Sequence, residues 1–131
     1  MLPKEKTPPK ENLSDLTVLL YGPTKWGKSS LCSHAENAIF LATEPGLNHL
    51  EVFQVPINNW DDLLAACREI AEGKHSFKTV IIDTIDNAYR MCAEHVCKKA
   101  KVEHESDLGY SSREGFPVLC VRNSIERKTK E

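Results

Sequence analysis

The stretch YGPTKWGKSSL, residues 21–31, limits what this chain can fold into more than any other feature. It follows directly on the apolar run Leu16 to Leu20 and sets two glycines and two lysines in a turn. The spacing Gly22-x-x-x-x-Gly27-Lys28-Ser29 fits the phosphate-binding loop pattern G-x-x-x-x-G-K-[ST]. Each residue type has a physical reason. A triphosphate concentrates negative charge, and backbone N–H groups surround it only where the chain turns tightly and no side chain intervenes. Gly22 and Gly27 permit that turn and that approach. Lys28 supplies a compact positive charge for the β- and γ-phosphates, and Ser29 offers a hydroxyl to Mg²⁺. A helix beginning near Lys28 would aim its unpaired N–H groups at the phosphates. The candidate nucleotide-binding residues are therefore Gly22, Pro23, Thr24, Lys25, Trp26, Gly27, Lys28, Ser29 and Ser30, for ATP with Mg²⁺. Among them Lys25 also reads as a solvated loop lysine. The competing reading of the whole stretch is an ordinary Gly/Pro turn between a strand and a helix.

Context bears on that choice, because the loop pattern requires a strand before it and a helix after it. Residues 16–21 are apolar and partly β-branched, which predicts the strand. Leu31, Cys32 and Ala35 are spaced as one helical face within residues 28–36. Ala38 to Ala42 is a short continuous apolar run suited to a second buried strand, broken by Pro45 and Gly46. Asn58 or Asn59 can cap a helix in which Trp60, Leu63, Leu64, Cys67, Ile70 and Ala71 recur at helical spacing, ending near Gly73. Lys78 to Asp83 reads as a third buried strand. A further helix is expected from about Asp86 to Lys101, with Ala88, Cys92, Val96 and Ala100 as its apolar row and Arg90, Glu94 and Lys98 facing water.

Strands alternating with helices predict an α/β fold with a mainly parallel sheet. Ligands of such sheets bind beyond the carboxyl ends of the strands. The loop at Gly22 to Ser29, Glu44 and Asp83 all fall on that edge. Asp83 ends the run Val80-Ile81-Ile82, where its carboxylate can hold Mg²⁺ together with Ser29; a helix N-cap or turn aspartate is the alternative. Thr84 follows it, where many P-loop ATPases carry a catalytic glutamate. The base for water must then come from elsewhere, and Glu44, at the end of the second strand, is the candidate catalytic residue. Its alternative is an exposed loop glutamate.

Composition excludes several classes. The chain has 131 residues, enough for one domain with a real core, and a formal net charge of −2, so no global field draws it to nucleic acid or membrane. No apolar run approaches the roughly 20 residues of a membrane span. Residues 1–15 are Pro- and Lys-rich, without a signal-peptide core, and read as a flexible leader. Five cysteines, Cys32, Cys67, Cys92, Cys97 and Cys120, include no C-x-x-C pair and read as reduced thiols in a cytoplasm. Cys92, His95 and Cys97 lie close in sequence, but Cys92 and Cys97 stand about 140° apart on a helix, which favours packing over metal binding.

The stretches LYGPTKWGKSSL, IFLATEPGL and TVIIDTIDNAYRMC resemble RecA-like P-loop nucleotide-binding proteins of the phage and prophage AAA family. The likeness runs from Leu16 to about Tyr110. It implies a RecA-like three-layer sandwich. It implies ATPase activity in phage DNA recombination within the bacterial host cytoplasm, and partners among single-stranded DNA, a second copy of the chain or a recombination protein. The segment around Glu44 is similar to the strand end of RecA-type recombinases, where a glutamate activates the attacking water. Other P-loop classes fit worse. The N-K-x-D motif of GTPases is absent, Pro23 stands where partition ATPases carry an extra lysine, and none of Arg68, Arg90, Arg113, Arg122 and Arg127 lies in an evident kinase lid.

The resemblance weakens after Tyr110. Residues 111–131 offer one short candidate strand, Phe116 to Val121, and a charged tail, where the family continues with further strands. The expected organisation is a leader over 1–15, a nucleotide-binding core over 16–110 and a divergent 111–131, with the sheet incomplete at the C-terminus. Two functions stay open: a Mg²⁺-dependent ATPase, and a non-catalytic nucleotide-binding module or remnant that needs a partner chain.

Overall fold

The run AIFLA becomes the centre of the sheet because both of its faces are covered. In the computed structural model, which describes residues 2, 4–12 and 15–103, these residues form β1 (Ala38–Ala42), with Phe40 and Leu41 fully buried. On one side it pairs in parallel with β2 (Phe53–Pro56), placing Leu41 opposite Val55. On the other it pairs in parallel with β3 (Thr79–Asp83), placing Leu41 opposite Ile82 and Ala42 opposite Asp83. The order is β2-β1-β3.

Alternate side chains of a strand leave opposite faces of the sheet. Leu41, with Ile82 and Val55, packs on α2 (Trp60–Glu72) and α3 (Ile85–Ala100), where Trp60, Leu63, Ala66, Ala88 and Cys92 complete the larger core cluster. Phe40 and Ala42 face the other way, into a smaller cluster with Leu47, Ile81 and Cys32 of α1 (Lys28–Ser33). Helices therefore cover both faces of a small parallel sheet, the α/β layering expected from the alternation of elements.

The boundaries of α2 follow from its sequence. The Asp62 N–H donates to Asn59 Oδ1 at 2.9 Å, and Asn59 Nδ2 donates to Asp62 Oδ2 at 3.0 Å. Asp61 and Asp62 place negative charge in the first turn, where the helix dipole favours it. The helix stops at Gly73, whose N–H donates to the Ile70 carbonyl at 3.1 Å. In α3, Arg90, Glu94 and Lys98 face water as expected. Cys97 joins Ala88 and Cys92 among the buried residues, while Ala100, expected in the apolar row, is exposed.

Four points of the expected fold need correction. Residues 16–21 form no strand: Leu16, Val18, Leu19 and Leu20 are exposed, and Tyr21 is 90% exposed. Apolar character alone does not make a strand; backbone N–H and C=O groups need a ladder partner, and these residues have none among the described ones. For the same reason β3 is an edge strand among the described residues, and Val80 is 40% exposed rather than buried. Conversely, β2 was not anticipated. It is four residues long, mostly exposed, and ends in Pro56, which an edge position tolerates because proline cannot donate to a ladder. The first helix is also shorter than residues 28–36, and Leu31 points to solvent. The candidate strand Phe116 to Val121 and the charged tail lie outside the described residues.

The connection from α2 to β3 is fastened by His75. The Phe77 N–H donates to His75 Nδ1 at 3.1 Å, so Nε2 carries the proton and donates to the Ile70 carbonyl at 2.8 Å. Phe77 then meets Phe53 of β2 edge to face, with centroids 5.3 Å apart.

Candidate functional site

Two polar side chains meet where β3 ends and α1 begins. Asp83 is the last residue of β3, and Ser29 is the second residue of α1. Ser29 Oγ donates to Asp83 Oδ2 at 2.6 Å, a half-buried bond spanning 54 positions of sequence. Loop and strand end, read separately as phosphate and Mg²⁺ elements, are thus in direct contact.

The loop itself is exposed from Tyr21 to Gly27. Gly27 has φ 77°, a left-handed conformation that costs an L side chain, and a Cβ built there would meet no atom within 4 Å. Glycine is required at this position for backbone shape, and the space above it is open. Lys25 also has positive φ, at 65°, and is exposed. Lys28 Nζ donates to the Gly22 carbonyl at 2.9 Å and the Pro23 carbonyl at 2.7 Å. The ammonium is held over the loop by backbone oxygens, within the cradle that the sequence pattern assigns to phosphate.

Glu44 follows β1 by two residues and is exposed. Its Oε2 accepts from Asn87 Nδ2 of α3 at 3.2 Å. Between Glu44 and Asp83 stands a link that sequence reasoning missed. The Thr43 N–H donates to the Asp83 carbonyl at 2.8 Å. Its Oγ1 donates to the Thr84 carbonyl at 2.9 Å and accepts from the Thr84 N–H at 2.8 Å. Thr43 is buried. The only local signal for it was a polar residue closing an apolar strand; its partner lies 41 positions away. Asn87 carried no signal beyond its place one turn into a helix.

Cys32 lies on α1 beside the site. Burial raises its thiol pKa above the ordinary 9.0, and the negative charge of Asp83 raises it further. The acidic-and-thiol corner is thus arranged to keep Cys32 protonated.

Two oxygen donors suit Mg²⁺, which keeps several waters and takes one or two carboxylates alongside substrate phosphates. Ser29 and Asp83 fit that demand. Among the described residues, no group of three or more His, Cys, Asp or Glu could hold a metal by itself. Cys92 and Cys97 are both buried in the core, and His95 Nδ1 sits 3.8 Å from Asp61 Oδ1. No helix among the described residues is long and apolar enough to cross a membrane.

A small α/β domain built on a parallel three-stranded sheet is consistent with a P-loop-like fold. Residues 14–114 match the family model described as AAA domain, and the chain belongs to that family. It is 26% identical over 102 residues to the SPbeta prophage-derived uncharacterized protein YorG of Bacillus subtilis (strain 168). That match covers 74% of this chain and 32% of the relative, so the chain spans about a third of that protein's length. No solved structure matches the chain.

Proposed function

We propose that this chain binds ATP with Mg²⁺ through a RecA-like site and supports its hydrolysis, in the service of phage DNA recombination. The observation that carries the reading is the 2.6 Å bond between Ser29 and Asp83, which joins the lysine-bearing loop to the end of the apolar strand. On this reading Gly22 to Ser30 cradle the phosphates and Lys28 leaves its two carbonyls for phosphate oxygens. Ser29 and Asp83 hold Mg²⁺, which neutralises charge on the phosphates. Glu44 accepts a proton from the attacking water as its oxygen bonds to the γ-phosphorus, and the bond to the leaving ADP oxygen breaks. Membership of the AAA domain family supports nucleotide binding, and the prophage relative supports the phage setting. Single-stranded DNA remains the proposed partner, carried by the resemblance of the sequence to RecA-like proteins.

A second reading, a nucleotide-binding module that needs another chain for turnover, is favoured by β3 being an edge strand among the described residues. Efficient hydrolysis also needs positive charge delivered to the γ-phosphate.

Titration of the purified chain with ATP, with and without Mg²⁺ and single-stranded DNA, separates the two when phosphate release is followed in parallel. Lys28→Ala removes a charge-assisted contact of about 1.5–3 kcal/mol and should weaken ATP binding roughly 10- to 150-fold. Equal affinity in parent and variant would defeat the phosphate-loop reading. Binding without release under every condition would leave the second reading standing and the first refuted.

A further inference from the structure

We propose that Thr43 is a positioning residue that fixes the proposed base, Glu44, against the proposed Mg²⁺ ligand, Asp83, with Asn87 holding the far end of the same carboxylate. The inference rests on the hydrolysis reading above and adds to it the device that sets its geometry. Asp83 ends β3 and Glu44 lies two residues past β1, and no hydrogen bond joins the two carboxylates. What relates them is the residue next to each. Thr43 precedes Glu44, Thr84 follows Asp83, and the two are joined by a reciprocal pair of bonds of 2.9 and 2.8 Å through one buried hydroxyl. A third bond, from the Thr43 N–H to the Asp83 carbonyl at 2.8 Å, ties Thr43 to Asp83 itself through the backbone.

A threonine hydroxyl can donate once and accept twice, so one side chain serves both backbone polar groups of Thr84. Valine has the same shape and can do neither. Serine keeps both roles and loses only a methyl group. Without the hydroxyl, the strand ends beyond the last ladder bonds become free to shift against each other. Displacements of about 1 Å between catalytic groups can cost about 100-fold in rate. Phosphate binding, by contrast, rests on the loop and Lys28, to which Thr43 makes no hydrogen bond. The hydroxyl therefore acts chiefly on turnover, and on affinity only through the Mg²⁺ that Asp83 would hold. Asn87 adds a constraint from α3: its amide donates to Glu44 Oε2 at 3.2 Å, which orients the carboxylate whose backbone Thr43 fixes.

The test uses the full chain as parent, Thr43→Val, Thr43→Ser and Asn87→Ala. Three quantities are read for each: the Kd for Mg²⁺-ATP by calorimetry, single-turnover release of labelled γ-phosphate with protein in excess, and amide exchange at Thr84. Thr43→Val is expected to bind within about twofold of parent, to release phosphate at least about tenfold more slowly, and to lose protection at Thr84. Thr43→Ser is expected to match parent in all three. Asn87→Ala should keep the Kd and the Thr84 protection and lose rate. Parent-like release by Thr43→Val, equal loss in Thr43→Ser, or unchanged Thr84 exchange in Thr43→Val would overturn the inference alone. If Thr43→Val does not fold, Asn87→Ala decides, and a parent-like rate there overturns it. No release by the parent itself overturns the hydrolysis reading, and this inference falls with it.

Discussion

At the scale of single residues, chemistry and binding are separable. Glu44→Gln keeps shape and hydrogen-bonding capacity, including the acceptor that Asn87 uses, but cannot take a proton. ATP affinity should persist while hydrolysis falls by about 10²–10⁴-fold, read as phosphate release at saturating ATP. If the rate is unchanged, the base is elsewhere, and Asp86 in the first turn of α3 is the next residue to replace. Cys32 gives a prediction about pH. Its folded-state pKa is raised by burial first and by Asp83 second, so the folded chain retains a proton that the unfolded chain gives up. The stabilisation linked to this thiol is complete below 9.0 and declines as pH rises from there towards the raised value. Alkylation of Cys32, followed by peptide mapping, should have its midpoint above pH 9.0. Asp83→Asn should move that midpoint down without abolishing the elevation, since burial is the larger cause. A midpoint unaffected by Asp83→Asn would show that the carboxylate does not reach the thiol in solution. The site itself was legible in part at this scale. Ser29 and Asp83 were each recognisable from their neighbours, and both were expected at the carboxyl edge of the sheet. Thr43 and Asn87 were not, because their meaning lies in partners more than 40 positions away.

At the scale of elements, α2 is the clearest case of sequence dictating structure. Its cap, its acidic first turn and its apolar rows all point to the same helix, and the helix begins and ends where they place it. Asn59→Ala removes the cap and should cost about 1 kcal/mol, seen as a lower urea midpoint at unchanged m-value. Leu63→Ala acts through the core, where Leu63 is 2% exposed, and should cost about 2–5 kcal/mol. If the two losses were equal, the larger core cluster would not be carrying the fold. The strands were less evenly legible. β1 and β3 announced themselves as continuous apolar runs. β2 did not, because an exposed four-residue edge strand needs only a partner's ladder and no pattern of its own. Residues 16–21 had the composition of a strand and lacked that partner among the described residues.

At the scale of the whole molecule, the α/β layering places the loop, Glu44 and Asp83 on one edge of the sheet. The arginines among the described residues, Arg68 and Arg90, sit exposed on α2 and α3, while Arg113, Arg122 and Arg127 lie outside the described residues. On the proposed reading, charge for the γ-phosphate comes from beyond the described site. Turnover per chain should then rise with protein concentration when single-stranded DNA is present. Steady-state phosphate release measured beside sedimentation velocity checks this; full activity in a demonstrably monomeric sample would show that a group within one chain completes the site.

The curled Lys28 carries a consequence for selectivity. Its ammonium already has two carbonyl oxygens for company, so any anion entering the loop competes with the protein's own backbone. Orthophosphate offers too few additional contacts to compensate for displacing them, whereas a polyphosphate chain engages the lysine and the loop amides together. The resting loop would thus discriminate by phosphate chain length. On the proposed hydrolysis reading, the same carbonyls would reclaim the lysine once the bond is cut, helping the spent nucleotide and the freed phosphate to leave.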